Sequence, residues 1–153
     1  MSTRDLSGTR TLVLGGSGVL GSRVAGELRN RGGLVMLAGR DRVRLQERAA
    51  ELGTDVPSVQ FDLRQPHHAD DVVTTAIDSL GGLDGVVNAA GVVAFGPLDE
   101  LDDAALDELV ARDLVGPLRV IRTAAPISRA ASSSTSREWS PTSRWQVLRP
   151  TLR

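Results

Sequence analysis

The sequence predicts an α/β protein built on a doubly wound parallel sheet of about four strands, and three observations predict it. Short β-branched apolar runs alternate with longer stretches of helical apolar spacing. Glycines punctuate the junctions between them. At 153 residues, with 41% apolar and 24% charged residues, the chain has the size and composition of one globular domain. Thr11–Gly15 is the first strand, apolar in the way a strand buried on both faces must be. In Val19–Arg31, Val19, Leu20, Val24, Ala25 and Leu28 recur at helical spacing, and Gly32-Gly33 stops the pattern. The unit repeats as strand Leu34–Ala38, helix Arg42–Leu52 ended by Gly53, strand Ser58–Phe61, helix Pro66–Leu80 ended by Gly81-Gly82, and strand Leu83–Ala89. Two further helical stretches, Leu101–Arg112 and Leu114–Ala125, complete the patterned part. Strands alternating with helices of this length imply right-handed βαβ crossovers and a strand order 3-2-1-4. The patterned domain is residues 1–126, and 127–153 read as an irregular Ser/Arg-rich tail, so the sheet is expected to be incomplete at its C-terminus.

Composition removes several chemistries. The chain has no Cys, so thiolate catalysis and Cys-based metal sites are excluded, and its 18 basic residues are all Arg. Tyr is also absent, so no step in these residues can use a phenol or an ammonium side chain. A net charge of −1 supplies no overall field for nucleic acid, and no window has the 18 apolar residues of a membrane span. The N-terminal ten residues lack a long apolar core, which makes the cytoplasm the expected compartment.

The chemistry-bearing signal is Gly15-Gly16-Ser17-Gly18-Val19-Leu20-Gly21, with glycines at G-x-x-G-x-x-G between a strand and a helix. A tight turn at Gly15, close backbone approach near Gly18 and close helix–strand packing at Gly21 bring a pyrophosphate to a helix N-terminus. The expected contacts are therefore Gly15, Ser17, Gly18, Val19, Leu20 and Gly21, in a Rossmann-like fold. A P-loop is excluded because it needs a Lys after its last glycine. After strand two, Gly39-Arg40 stands where a dinucleotide fold places its ribose-reading residue. An Arg there suits a 2′-phosphate and favours NADP, with NAD as the alternative and a merely solvated Arg40 as the plain reading. Asp41 is a candidate N-cap for the next helix. Asp62, in Phe61-Asp62-Leu63 at the end of strand three, either accepts from an adenine amino group or caps a turn. Asn88-Ala89-Ala90-Gly91 ends strand four, where small side chains let a ligand lie against backbone and Asn88 can be structural. Adjacent His67 and His68 point apart and lack a third ligand, so they read as a solvated helix start, and no metal site is expected. Asp99, Glu100, Asp102, Asp103, Asp107 and Glu108 read as a solvated first turn and outer face.

These residues together resemble the short-chain dehydrogenase/reductase family over about residues 8–125. The resemblance is carried by Gly15, Gly18, Gly21, Gly39-Arg40, Asp62 with Leu63, and Asn88-Ala89-Ala90-Gly91, which is similar to the family's N-N/A-A-G motif. It implies a nicotinamide dinucleotide as partner, a small-molecule substrate, and a site made from an Asn, a Ser and a Tyr-x-x-x-Lys pair. Val110–Gly116 resembles the Asn-bearing helix, with Asp113 in the place of the catalytic Asn, while the Tyr and Lys have no counterpart. Hydride transfer by the family mechanism is therefore not expected, and a non-catalytic dinucleotide sensor or interaction module is the alternative.

After Pro126 the character changes. Residues 1–125 hold 13 Arg against 18 acids, and 127–153 hold five Arg, one Glu, seven Ser and both Trp. A disordered segment or a weak basic arm would have this composition. Back-translation supplies a third reading. With permitted codons, Ser132–Gln146 read one base earlier spells V-V-N-I-S-G-V-V-A-D-L-P-V-A, which resembles the family's fifth strand and its Ser-bearing segment. A one-base frameshift near Pro126 is the expected cause. A sheet stopping at strand four would leave an open edge, so aggregation or a compensating homo-oligomer is expected.

Overall fold

The computed structural model describes residues 5–93 and 95–134, with side chains described as far as Ile127. Strands β1 (Arg10–Leu14), β2 (Leu34–Gly39), β3 (Ser58–Gln60) and β4 (Gly85–Asn88) form one parallel sheet in the order β3-β2-β1-β4. This is the expected doubly wound topology. Helix α1 (Val19–Asn30) links β1 to β2, α2 (Arg42–Leu52) links β2 to β3, and α3 (His68–Leu80) crosses back from β3 to β4. A 3₁₀ turn (Leu98–Glu100) precedes α4 (Asp103–Leu109), a π-helical turn (Val110–Val115) and α5 (Gly116–Ser134).

Alternation along the central strands feeds two cores. Leu12, Leu14, Met36 and Ala38 pack with Val72, Val73 and Ala76 of α3 and with Val120 and Ala124 of α5. Val13, Val35 and Leu37 face the other way, onto Ala25 of α1 and Leu45 and Ala49 of α2. Because both faces are covered, the middle of β1 and β2 is apolar at every position, which is why those strands were readable as continuous runs. At the sheet end away from the strand C-termini, the Arg10 guanidinium grips Asp84 with two bonds of 2.8 Å, and the Arg10 backbone N–H donates to the same carboxylate. That grip pins β4 to β1 and holds the Asp84 carboxyl below the usual carboxylate range.

Boundaries moved where tertiary contacts outweigh pattern. The third helix starts at His68, two residues after the expected Pro66, because the His68 ring accepts from the Asp62 backbone N–H at 3.2 Å. His68 is thus half-buried and tied down, where a solvated helix start was expected. The last strand is Gly85–Asn88, shorter at both ends than the expected Leu83–Ala89. The two expected helices around Asp113 form one continuous helical segment, joined by the π turn. Helix α5 also runs through Pro126 to Ser134, past the residue-126 boundary. Interior proline removes one helical bond, but Ile127 packs on the larger core and favours continuation. The frameshift reading extends over residues 135–153, which lie outside the described residues.

Candidate functional site

Chain reversal at the C-terminal end of β1 is built from backbone alone. Gly15 sits at φ +77°, and a Cβ there would lie 2.6 Å from the Ala89 carbonyl oxygen, so only glycine fits. The Gly15 and Gly16 N–H groups donate to the Ala38 carbonyl at 2.7 and 3.1 Å, and Gly18 N–H donates to Gly15 at 2.9 Å. A Cβ on Gly21 would fall on the Gly15 carbonyl oxygen, which brings α1 tight against the turn. Gly18 is the N-cap of α1 and makes no side-chain cap, and no acid occupies the first turn. The opening amides of α1, at Val19 and Leu20, consequently point their positive end at open space, an arrangement that attracts an anion.

This turn borders a cleft of about 450 Å³ that runs across the strand C-termini from β3 to β4. Gly15, Ser17 and Gly18 form its floor, Gly39, Arg40, Asp41 and Arg44 one wall, and Phe61, Asp62 and Leu63 the end of β3. Ala89, Ala90, Gly91 and Arg112 close the opposite side. The sequence-derived set is therefore brought together at Gly15, Ser17, Gly18, Arg40, Asp62, Leu63, Ala89, Ala90 and Gly91. Gly21 supports the floor from behind. Val19 and Leu20 are 72% and 65% exposed and do not line the cleft.

Several side chains are engaged in ways that spacing did not disclose. Asp41 does cap α2, accepting from Arg44 N–H at 3.1 Å. The Arg40 guanidinium has no hydrogen bond or ion pair among the described residues, while its carbonyl accepts from Gln60 at 3.0 Å. The Asp62 carboxylate is both a turn cap and an ion pair: it accepts from the Arg64 N–H at 3.0 Å and from the Arg64 guanidinium at 2.7 Å. That guanidinium holds the Asp62 carboxyl down at about 2. Asn88 does not line the cleft; its side chain accepts from Ala90 N–H at 3.2 Å and shapes the bend after β4. Asp113 also lies behind the cleft. It accepts from Val92 N–H at 3.0 Å, beside Gly91, so it fastens the post-β4 loop to the π turn. Arg44 and Arg112 line the cleft but were not among the candidate residues. Arg44 was legible as one turn beyond Asp41, whereas only the π turn aims Arg112 inward. Among the described residues no group of acids and histidines could hold a metal ion, and no helix is long and apolar enough to cross a membrane.

Residues 9–134 match the family model described as short chain dehydrogenase. The chain belongs to the short-chain dehydrogenase family. Among curated proteins it is 30% identical over 122 residues to an uncharacterized oxidoreductase of Staphylococcus epidermidis, covering 80% of this chain and 53% of that protein. It is 32% identical over 152 residues to 11-beta-hydroxysteroid dehydrogenase A of Sesamum indicum, covering 93% of this chain and 44% of that one. A putative short-chain alcohol dehydrogenase from Sinorhizobium meliloti superposes with a TM-score of 0.76 at 32% identity, over 80% of this chain and 50% of that chain. A short-chain dehydrogenase from Burkholderia cenocepacia, solved in complex with NADP, superposes at 0.75 and 27% identity, over 81% of this chain and 52% of its own. The chain thus spans about half the length of the short-chain dehydrogenases it matches.

Proposed function

We propose that this chain carries the NADP(H)-binding half of a short-chain dehydrogenase-type oxidoreductase. The observation that carries the reading is the unengaged Arg40 guanidinium at the mouth of a glycine-floored cleft. Ser17, Gly18 and the amides of Val19 and Leu20 would hold the pyrophosphate, and Arg40 with neighbouring Arg44 would hold a 2′-phosphate. Leu63 and Ala89–Gly91 offer apolar and backbone surface to the nucleoside. When bound, the nicotinamide supplies or accepts a hydride. The solved relative with NADP supports the choice of cofactor. Adenine recognition by Asp62 requires Arg64 to release part of that carboxylate.

These 153 residues contain no Tyr and no Lys, so the Tyr–Lys pair that the resemblance implies is not among them. Asp113, bonded to Val92, is a positioning residue in this reading. Binding without turnover is the expected behaviour, which makes a non-catalytic dinucleotide-binding module the second reading. Titration of NADPH and NADH by nicotinamide fluorescence tests the first. Saturable NADPH binding is expected, weakened about 10–100-fold by Arg40→Ala, with NADH changed by less than about threefold. Absence of saturable binding in a folded sample overturns it.

We also read the exposed stripe Leu106, Val110, Leu114, Leu118 and Ile121 as the seat of a second copy of this chain. The five side chains share one face of the α4–α5 segment, with Asp103 and Asp107 at its start and Arg119 and Arg122 toward its end. Antiparallel pairing therefore sets acid against base. Leu114→Glu is expected to shift the light-scattering mass from dimer to monomer.

A further inference from the structure

The three arginines lining the cleft differ in environment. Arg40 and Arg44 are exposed, whereas Arg112, on the π turn across the cleft, is only 7% exposed. Burying a guanidinium costs several kcal/mol unless a partner compensates. Arg112 is only partly compensated. The Glu108 carboxylate lies 2.6 Å from its Nε, in an ion pair without good hydrogen-bond alignment, which engages only the Nε edge of the guanidinium. The other carboxylate within electrostatic range, Asp62, is held by Arg64 and gives Arg112 no hydrogen bond. A π turn widens the helix locally and re-aims a side chain, a device frequent at ligand sites. Here it sets a planar cation, ion-paired with Glu108 at its Nε, in the lining of the cleft.

We propose that Arg112 is an affinity-determining contact for the dinucleotide, presenting its guanidinium to the adenosine half from the side of the cleft that it shares with Ala89–Gly91. The proposal rests on the dinucleotide reading above. A guanidinium plane can stack on an aromatic base and adds positive potential for the phosphates, and neither contribution depends on a 2′-phosphate. Arg112 therefore sets affinity for the shared adenosine diphosphate moiety, while Arg40 sets the preference for NADP(H) over NAD(H).

Calorimetric titration of NADPH, NADH and ADP-ribose into the full chain tests it, with Arg112→Met, Glu108→Gln and Arg40→Ala in parallel. Met retains the buried stem volume without the charge. Arg112→Met is expected to weaken all three ligands by a similar factor of about five to ten, with unchanged circular dichroism. Glu108→Gln, which frees Arg112 from its acid, is expected to tighten all three about two- to threefold. Wild-type affinities in a folded Arg112→Met, or no change on Glu108→Gln, would overturn the assignment while the Arg40→Ala effect upheld the cofactor reading. Should Arg112→Met fail to fold, Glu108→Gln decides alone. Wild-type protein that binds none of the three overturns the cofactor reading itself.

Discussion

The glycine turn after β1 and the loop after β4 face each other across the same cleft, and they are held by different physics. The turn is specified by exclusion: a Cβ on Gly15 meets the Ala89 carbonyl, and one on Gly21 meets the Gly15 carbonyl. The loop is held, among the described residues, by two side-chain contacts, Asn88 accepting from Ala90 N–H and the Asp113 carboxylate accepting from Val92 N–H. Beyond those anchors the loop exposes Val93, Phe95 and Leu98 at 73, 91 and 75%. A wall made by sterics is rigid because any change collides with backbone. A wall held by a few side-chain hydrogen bonds can shift for about 1 kcal/mol per bond.

The largest test of this contrast is Gly21→Ala. Its methyl would displace the Gly15 carbonyl, and a loss of about 3 kcal/mol or more in urea unfolding is expected, together with loss of NADPH binding. Stability within about 0.5 kcal/mol of wild type would show that the turn yields. Asp113→Ala comes next. It should cost about 1 kcal/mol and raise hydrogen exchange at Val92, leaving amides of the glycine turn protected. Equal loss of protection on both sides would show that the walls are coupled. The smallest effect concerns Asp62, whose carboxyl sits at about 2 against an ordinary value of 3.8. Because folding lowers this value, the ion pair stabilises the fold above about pH 4, and the contribution disappears as pH falls toward 2. Asp62→Asn should therefore remove of the order of 1 kcal/mol at neutral pH, with the gap to wild type closing between pH 4 and 2. A gap independent of pH would assign the loss to packing.

Much of this was legible without coordinates because it depends on local rules. Buried parallel strands must be apolar throughout, so β1 and β2 were readable as runs. Glycines spaced 15, 18 and 21 have few uses after such a strand. Asp41 caps α2 by a contact spanning three residues. The unread features depend on a break in helical period, on a contact distant in sequence, or on which of several short-range partners the folded loop brings into reach. Arg112 enters the cleft because a π turn rotates it there, and a 3.6-residue period contains no sign of that turn. Arg64 takes the Asp62 carboxylate, turning an apparent adenine acceptor into an ion pair. Asn88 and Asp113 spend their side chains on backbone N–H groups of the post-β4 segment. Helix α5 passes Pro126 because Ile127 reaches the core, which a local rule about proline cannot register.

By itself, then, the sequence determined the sheet, its winding and the glycine floor of the cleft, since apolar period and missing side chains act over a few residues. Tertiary structure alone decided which charges are engaged and which are free. Arg40 is left open, Arg64 takes the Asp62 carboxylate at the surface and Arg112 is buried beside Glu108 in the cleft lining, because spacings of two and four residues permit such pairs and only the packed backbone decides which of them form.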